Sequence, residues 1–154
     1  MRRPTLARSG RHAAYAVHGL VLIAAAVLWR GLLTRDFSLE YVASYSSSTL
    51  SLPYTIAAFW GGQAGSLLFW VLILTTMSTV VHLQNRERNA ALMPYVTATL
   101  MTIAAFFLAL LVFVTSPFDR LPVPAAEGAD LNPLLQNYWM MIHPPSLYLG
   151  YVAC

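Results

Sequence analysis

The chain has 154 residues, of which 58% are hydrophobic and 10% charged, with a mean hydropathy of +0.60. Soluble domains carry roughly 25% charged residues, and disorder needs few apolar residues and high charge, so neither class fits. The pI of 9.3 comes from nine arginines, with no lysine, against six acids; these arginines stand in short clusters beside apolar runs rather than on one basic face, which argues against nucleic acid as a partner.

A helix needs about 20 apolar residues to cross ~30 Å of hydrocarbon. In chain order, the first segment that qualifies is 13–33, interrupted by His18 and, near its end, Arg30. Arg2 and Arg3 resemble the charged start of a signal peptide, but the apolar run exceeds the 7–15 residues of such a signal. No small-residue cleavage site follows, so the helix is read as retained. The next stretch, from Phe37 to Ser48, alternates apolar and small polar residues and predicts a short extended piece. Pro53 leads into a second apolar run that ends at Trp60 and a glycine-rich turn. Gly61 and Gly65 have the spacing of close helix packing, and Trp60 and Trp70 suit a membrane interface.

The second span is predicted at 65–83 and the third at 93–114, with Pro94 in the first turn, where its missing N–H costs nothing. Beyond it, 116–124 is a proline-ruled extended exit. Leu134, Leu135, Tyr138, Trp139, Met141 and Ile142 recur at helical spacing and predict a short amphipathic surface helix. His143 follows, then Pro144 and Pro145 in the expected first turn of a fourth span starting at 146. Its nine residues give only about 13 Å of helix, so the chain is expected to be a fragment or a split subunit. The fold expected is thus an all-α integral membrane protein: a polytopic bundle of three full spans, the start of a fourth and a surface helix, forming one domain over 1–154. Cys154, the only cysteine, is the last residue, so no intrachain disulfide forms.

Arginine counts set the orientation, because cytoplasmic loops keep more of them. Arg2, Arg3, Arg8, Arg11, Arg86 and Arg88 fall on one side; Arg30, Arg35 and Arg120 fall on the other. The N-terminus is therefore expected in the cytoplasm, with 34–64 and 115–145 outside. His18, within the first span, reads as an imidazole hydrogen-bonded to a neighbouring helix. His82 reads as interfacial, and His12 as part of the basic tail.

Five pieces of the outer half resemble one known family, in its order and spacing: Tyr41-Val-Ala-Ser-Tyr-Ser46, Trp60-Gly-Gly-Gln-Ala-Gly-Ser-Leu-Leu-Phe-Trp70, Ser116-Pro-Phe-Asp-Arg120, Asp130-Leu-Asn-Pro-Leu-Leu-Gln136 and His143-Pro-Pro-Ser-Leu-Tyr-Leu-Gly-Tyr151. The family is the CcmF group of cytochrome c maturation proteins, within the CcmF/CcmC/CcsA superfamily, and the match is to its N-terminal portion. The resemblance implies a bacterial inner-membrane location and haem b as transient substrate. It also implies apocytochrome c, other maturation proteins and membrane lipid as partners, and a role in presenting haem for covalent attachment. There are departures. Ala64 stands where the family usually has an acid. Asn137-Tyr138-Trp139 replaces the family's Asp-Pro-Gly and is similar to the CcsA type. The tryptophan-rich haem motif of the haem lyase and the family's later histidines are absent from this sequence.

His143 is the candidate axial ligand to haem iron, with Trp139, Tyr138 and Trp60 as cofactor-binding aromatics. Histidine is a common haem ligand, and a helix starting at Pro144 would turn its positive end toward the ring and keep a lone pair free. The alternative from the residues alone is a loop histidine beside an interfacial aromatic belt. The resemblance favours ligation, since the family's histidine in the same His-Pro-Pro setting binds exposed haem. No acid, base or nucleophile is assigned: no serine-hydrolase, metalloprotease or phosphate-loop motif is present, and in haem attachment the cofactor carries the reactivity. The rival function is a non-catalytic subunit of an ion- or proton-translocating complex. Such pathways need ionisable chains inside the bilayer, whereas all six acids here lie in loops.

Overall fold

The structure is a computed structural model that describes residues 3–85 and 89–153, with side chains from residue 7 onward. Arg2, Arg86, Arg88 and Cys154 lie outside the described residues. The elements are α1 (Arg3–Thr34), α2 (Glu40–Tyr45), α3 (Leu52–Ala57), a 3-10 turn (Ala58–Trp60), α4 (Gln63–Gln84), α5 (Met93–Phe113), a second 3-10 turn (Pro133–Leu135) and α6 (Tyr138–Ala153). Among the described residues, three helices are long and apolar enough to cross a membrane: Ala7–Thr34, Gln63–Gln84 and Met93–Phe113. They match the three predicted spans, the first extended toward the N-terminus.

α4 is the centre of the bundle, packed against α1, α5 and α6. Lipid offers no hydrophobic drive between helices, so close packing and interhelical hydrogen bonds must hold them. Each of two histidines supplies one. His18 Nδ1 and Thr75 Oγ1 lie 3.1 Å apart, tying α1 to α4 as expected. His82 Nε2 and Thr97 Oγ1 lie 2.7 Å apart, tying α4 to α5. His82 is only 2% exposed, and its Nδ1–H donates to the Ser78 carbonyl at 2.6 Å, so it is a buried strut rather than the interfacial residue expected.

α1 stops in a left-handed turn. Arg35 has φ 56°; its N–H donates to Leu32 and the Asp36 N–H donates to Gly31, satisfying two of the helix's last carbonyls. The Arg35 guanidinium donates to the Leu50 carbonyl at 3.2 Å, which anchors the start of the loop.

Two further expectations fail. The stretch from Phe37 holds helix α2 rather than an extended piece. Tyr41 and Tyr45, one helical turn apart, put their ring centroids at 4.7 Å, so the period that matters is four, not two. The surface helix and the fourth span are one continuous helix, α6, with Pro144 and Pro145 inside it. It starts at Asn137, whose Oδ1 accepts the Trp139 N–H at 2.9 Å. The prolines supply no N–H to the carbonyls four residues back. The Ser146 hydroxyl donates to the next carbonyl, that of Ile142, at 3.0 Å.

Candidate functional site

The two long loops, 35–62 and 114–137, fold into one cap over an end of the bundle. Backbone bonds stitch them together: Glu40 N–H to the Asp119 carbonyl at 2.9 Å, Leu121 N–H to Ser38 at 2.9 Å, and Ala129 N–H to Ala43 at 2.7 Å. Leu39 and Arg120 form an isolated antiparallel bridge.

Tyr41 is the node of this cap. Its hydroxyl donates toward the carbonyls of Ala58 (3.0 Å) and Phe59 (3.1 Å) and accepts the Gly62 N–H at 3.0 Å. Burial holds the phenol neutral by pushing its pKa up, against the opposing Gly62 N–H bond. The adjacent glycines are required by contact. A Cβ at Gly62 would enter the Tyr45 ring, and one at Gly65 would meet the Phe59 carbonyl and the Tyr41 hydroxyl. Gly62 and Gly65 therefore serve the approach of the cap to the start of α4, and Gly61 sits against Leu131 of the cap, so the Gly61–Gly65 spacing does not serve helix-on-helix packing.

The last loop piece is pinned the same way. Asp130, at φ 73°, accepts from the Ser47 hydroxyl at 3.1 Å and from the Leu131 N–H at 2.8 Å. Leu131 is buried beneath Gly61. Gln136 donates to the Leu131 carbonyl at 2.8 Å. On the surface, Glu127 accepts from the Ser48 hydroxyl and the N–H groups of Ser48 and Gly128; the Ser48 hydroxyl bond leads in holding its carboxyl below the usual range. Ser38 does the same for Asp36.

α6 rises from this cap along α4. The Tyr148 hydroxyl donates to Ser66 Oγ at 3.2 Å, and Ser66 donates to the Trp60 carbonyl at 2.9 Å. The Tyr148 ring meets Phe69 and Trp70 edge-on, each at 5.9 Å. Trp60 stacks on Phe69 at 5.4 Å.

These contacts fix which way α6 faces. Met141, Pro145, Tyr148 and Val152 are partly covered, whereas Trp139, His143, Leu147 and Gly150 are exposed. At 3.6 residues per turn, Trp139 and His143 share one outward stripe. Tyr138 flanks it, its ring at 5.2 Å from Trp139. Trp60 does not join them. It lines an apolar groove of about 390 Å³ on the neighbouring flank of α6, with Leu52, Ile56, Ile142, Pro145, Ser146 and Leu149. The four predicted site residues therefore divide into three and one. His143 also sits in the second turn of α6 rather than at a helix start, so the dipole argument for its lone pair fails. What remains is an exposed imidazole one turn from an exposed indole.

The sequence reading missed Tyr41, Ser66 and Tyr148, which hold the cap and α6 in place. Their signal was the tyrosine pair one turn apart and the run of small residues from Gly61 to Ser66.

With this geometry in view, the chain is an all-α membrane protein whose exposed His143–Trp139 stripe stands beside a glycine-dependent cap. Residues 60–154 match the family model described as cytochrome C assembly protein, and the chain belongs to that family. It is 42% identical over 151 residues to the probable cytochrome c-type biogenesis protein NrfE of Escherichia coli K12, covering 98% of this chain and 27% of that protein. It is 40% identical over 150 residues to cytochrome c-type biogenesis protein CcmF of Pseudomonas fluorescens, and likewise to CycK of Rhizobium meliloti, each match covering 97% of this chain and 22% of the relative. The chain thus spans about a quarter of the length of these relatives. No solved structure matches it.

Proposed function

We propose that this chain forms part of a cytochrome c biogenesis machine that binds haem b as a transient substrate and presents it for attachment to apocytochrome c, alongside other maturation membrane proteins. The observation that carries this reading is the exposed His143–Trp139 stripe at the cap end of α6. The donor set fits one side of a haem: an imidazole free to ligate iron, with Trp139 and Tyr138 beside it to cover a porphyrin face. Tyr148 and Ser66 act as positioning residues that hold α6 at its angle to α4. Trp60 supports α6 from the groove side. The second axial ligand comes from outside these residues.

The same reading puts the protein in the bacterial inner membrane with its N-terminus in the cytoplasm and the cap in the periplasm, in keeping with the arginine distribution.

The test is the haem spectrum of the full-length protein. His143→Ala should lose or strongly shift the Soret band of the exposed haem and abolish cytochrome c maturation, with partial recovery of the band on adding imidazole. An unchanged spectrum with normal maturation would remove His143 from the site.

A further inference from the structure

The end of the bundle opposite the cap carries a second built feature. A pocket of about 220 Å³ lies between α1 and α5, lined by Arg8, Arg11, His82, Ala90, Met93 and Pro94 among others. Arg8 and Arg11 are one helical turn apart and both reach it. Arg8 is exposed and Arg11 partly covered, so the pair presents two positive charges to an anion arriving from outside the protein. The described acids cannot supply that anion: Asp36, Glu40, Asp119, Glu127 and Asp130 all belong to the cap. By sequence, this end holds six arginines against one glutamate, Glu87, which is itself flanked by Arg86 and Arg88. His82 is taken: its two nitrogens face Ser78 and Thr97, so it forms the floor.

Depth decides what kind of anion fits. The apolar run of α1 begins at Ala13 and α5 begins at Met93. Arg11 and Arg8 therefore lie just before that run, within one and two turns of it, where headgroups meet hydrocarbon. The remaining walls (Ala7, Ala90, Met93 and Pro94) are apolar, apart from Thr97, whose hydroxyl is engaged with His82 and the Met93 carbonyl. A free anion would gain nothing from them, whereas a phospholipid brings a phosphate for the arginines and glycerol and acyl carbons for the walls.

We infer that Arg8 and Arg11, in the pocket between α1 and α5, hold the phosphate of an anionic phospholipid at the N-terminal end of the bundle. This inference stands apart from the haem reading and does not depend on it.

The full-length protein, reconstituted with phosphatidylglycerol and phosphatidylcholine and then extracted in mild detergent, is analysed by native mass spectrometry. Selective retention of phosphatidylglycerol is expected. Moving one arginine out of the pocket while keeping the charge, as R11Q combined with S9R, should lower that selectivity about fivefold, and R8Q with R11Q should lower it further. Glu87→Gln should leave retention unchanged or raise it. Three results would each overturn the site: equal retention of both lipids, full selectivity in the relocated variant, or a loss of selectivity in Glu87→Gln. Thermal protection by inorganic phosphate in lipid-free micelles, equal to that by phosphatidylglycerol, would overturn the lipid and leave only an anion. R11K, which keeps charge and fold, should retain the lipid; its failure to do so while the protein stays folded would overturn the point-charge contact.

Discussion

Tyr148 on α6 reaches Ser66 on α4, hydroxyl to hydroxyl at 3.2 Å, and Ser66 passes the chain on to the Trp60 carbonyl at 2.9 Å. This relay joins the His-Pro-Pro segment to the Trp-Gly-Gly segment, 82 residues apart in sequence. It sets the rotation of α6, and so the direction in which His143 faces.

Tyr148→Phe should therefore keep the ring contacts with Phe69 and Trp70 and lose only the relay. The expected cost is about 1 kcal/mol of stability, the usual net worth of one hydrogen bond. Ser66→Ala should cost more, because it also removes the bond to the Trp60 carbonyl, and the double variant should cost less than the sum of the two, because both remove the Tyr148–Ser66 bond. Thermal unfolding in detergent measures all three. Strict additivity would show that the relay carries no energy.

The glycines separate into two kinds. Gly65→Ala drives a methyl into the Phe59 carbonyl and the Tyr41 hydroxyl, and Gly62→Ala drives one into the Tyr45 ring. Overpacking of this kind costs roughly 1–3 kcal/mol. Gly19 and Gly150 have nothing within 4 Å of such a methyl. There, alanine should be neutral or favourable by a fraction of the ~1 kcal/mol that glycine costs a helix. Melting temperatures of the four single variants in the same detergent decide the matter.

The spans were legible because length and apolarity are local properties: 65–83 and 93–114 lie within a residue or two of Gln63–Gln84 and Met93–Phe113. That Trp139 stands about a turn before His143 was legible too, but the shared stripe follows only from α6 running unbroken through both. Pro144 and Pro145 misled the reading of α6, because prolines mark helix starts more often than helix interiors. The Tyr41 node was invisible for another reason. Its partners lie 17 to 21 residues away, and no local pattern encodes which carbonyls a phenol will meet. The separation of Trp60 from His143 likewise depends on the rotation of α6, which the Tyr148–Ser66 contact decides.

The cap should also show an acid-labile edge. Glu127 titrates below its ordinary value of 4.5 because the folded loop bonds its charged form, through Ser48 first. A depressed carboxyl adds stability that is present above the ordinary value and lost as pH falls through the folded value. Amide exchange at Ser48, corrected for the intrinsic rate, should lose protection as pH drops below about 4.5, where the free carboxylate begins to bind its proton. Glu127→Gln should abolish that dependence. Protection that follows the same pH curve in the variant would assign the effect elsewhere, with Asp36 and its Ser38 contacts the next group to examine.

The proposed orientation rests on charge alone and can be read directly. Three arginines and five acids belong to the cap side, whereas six arginines and one acid belong to the other; lysine and arginine are what the insertion machinery keeps inside. Labelling positions must be accessible. Ser47 is buried at 5% exposure, and Gly128 backs onto the Ser46 carbonyl, so neither admits a reagent. Ala126 on the cap and Asn89 in the α4–α5 loop are exposed. With Cys154 replaced by serine, Ala126→Cys should react with an impermeant maleimide in cells whose outer membrane alone is opened, and Asn89→Cys only after the inner membrane is breached. The reverse order would invert the bundle. It would move His143 to the cytoplasmic face, where it could not serve a periplasmic attachment reaction, and with that the functional reading would fall while the packing of cap on α4 stood unchanged.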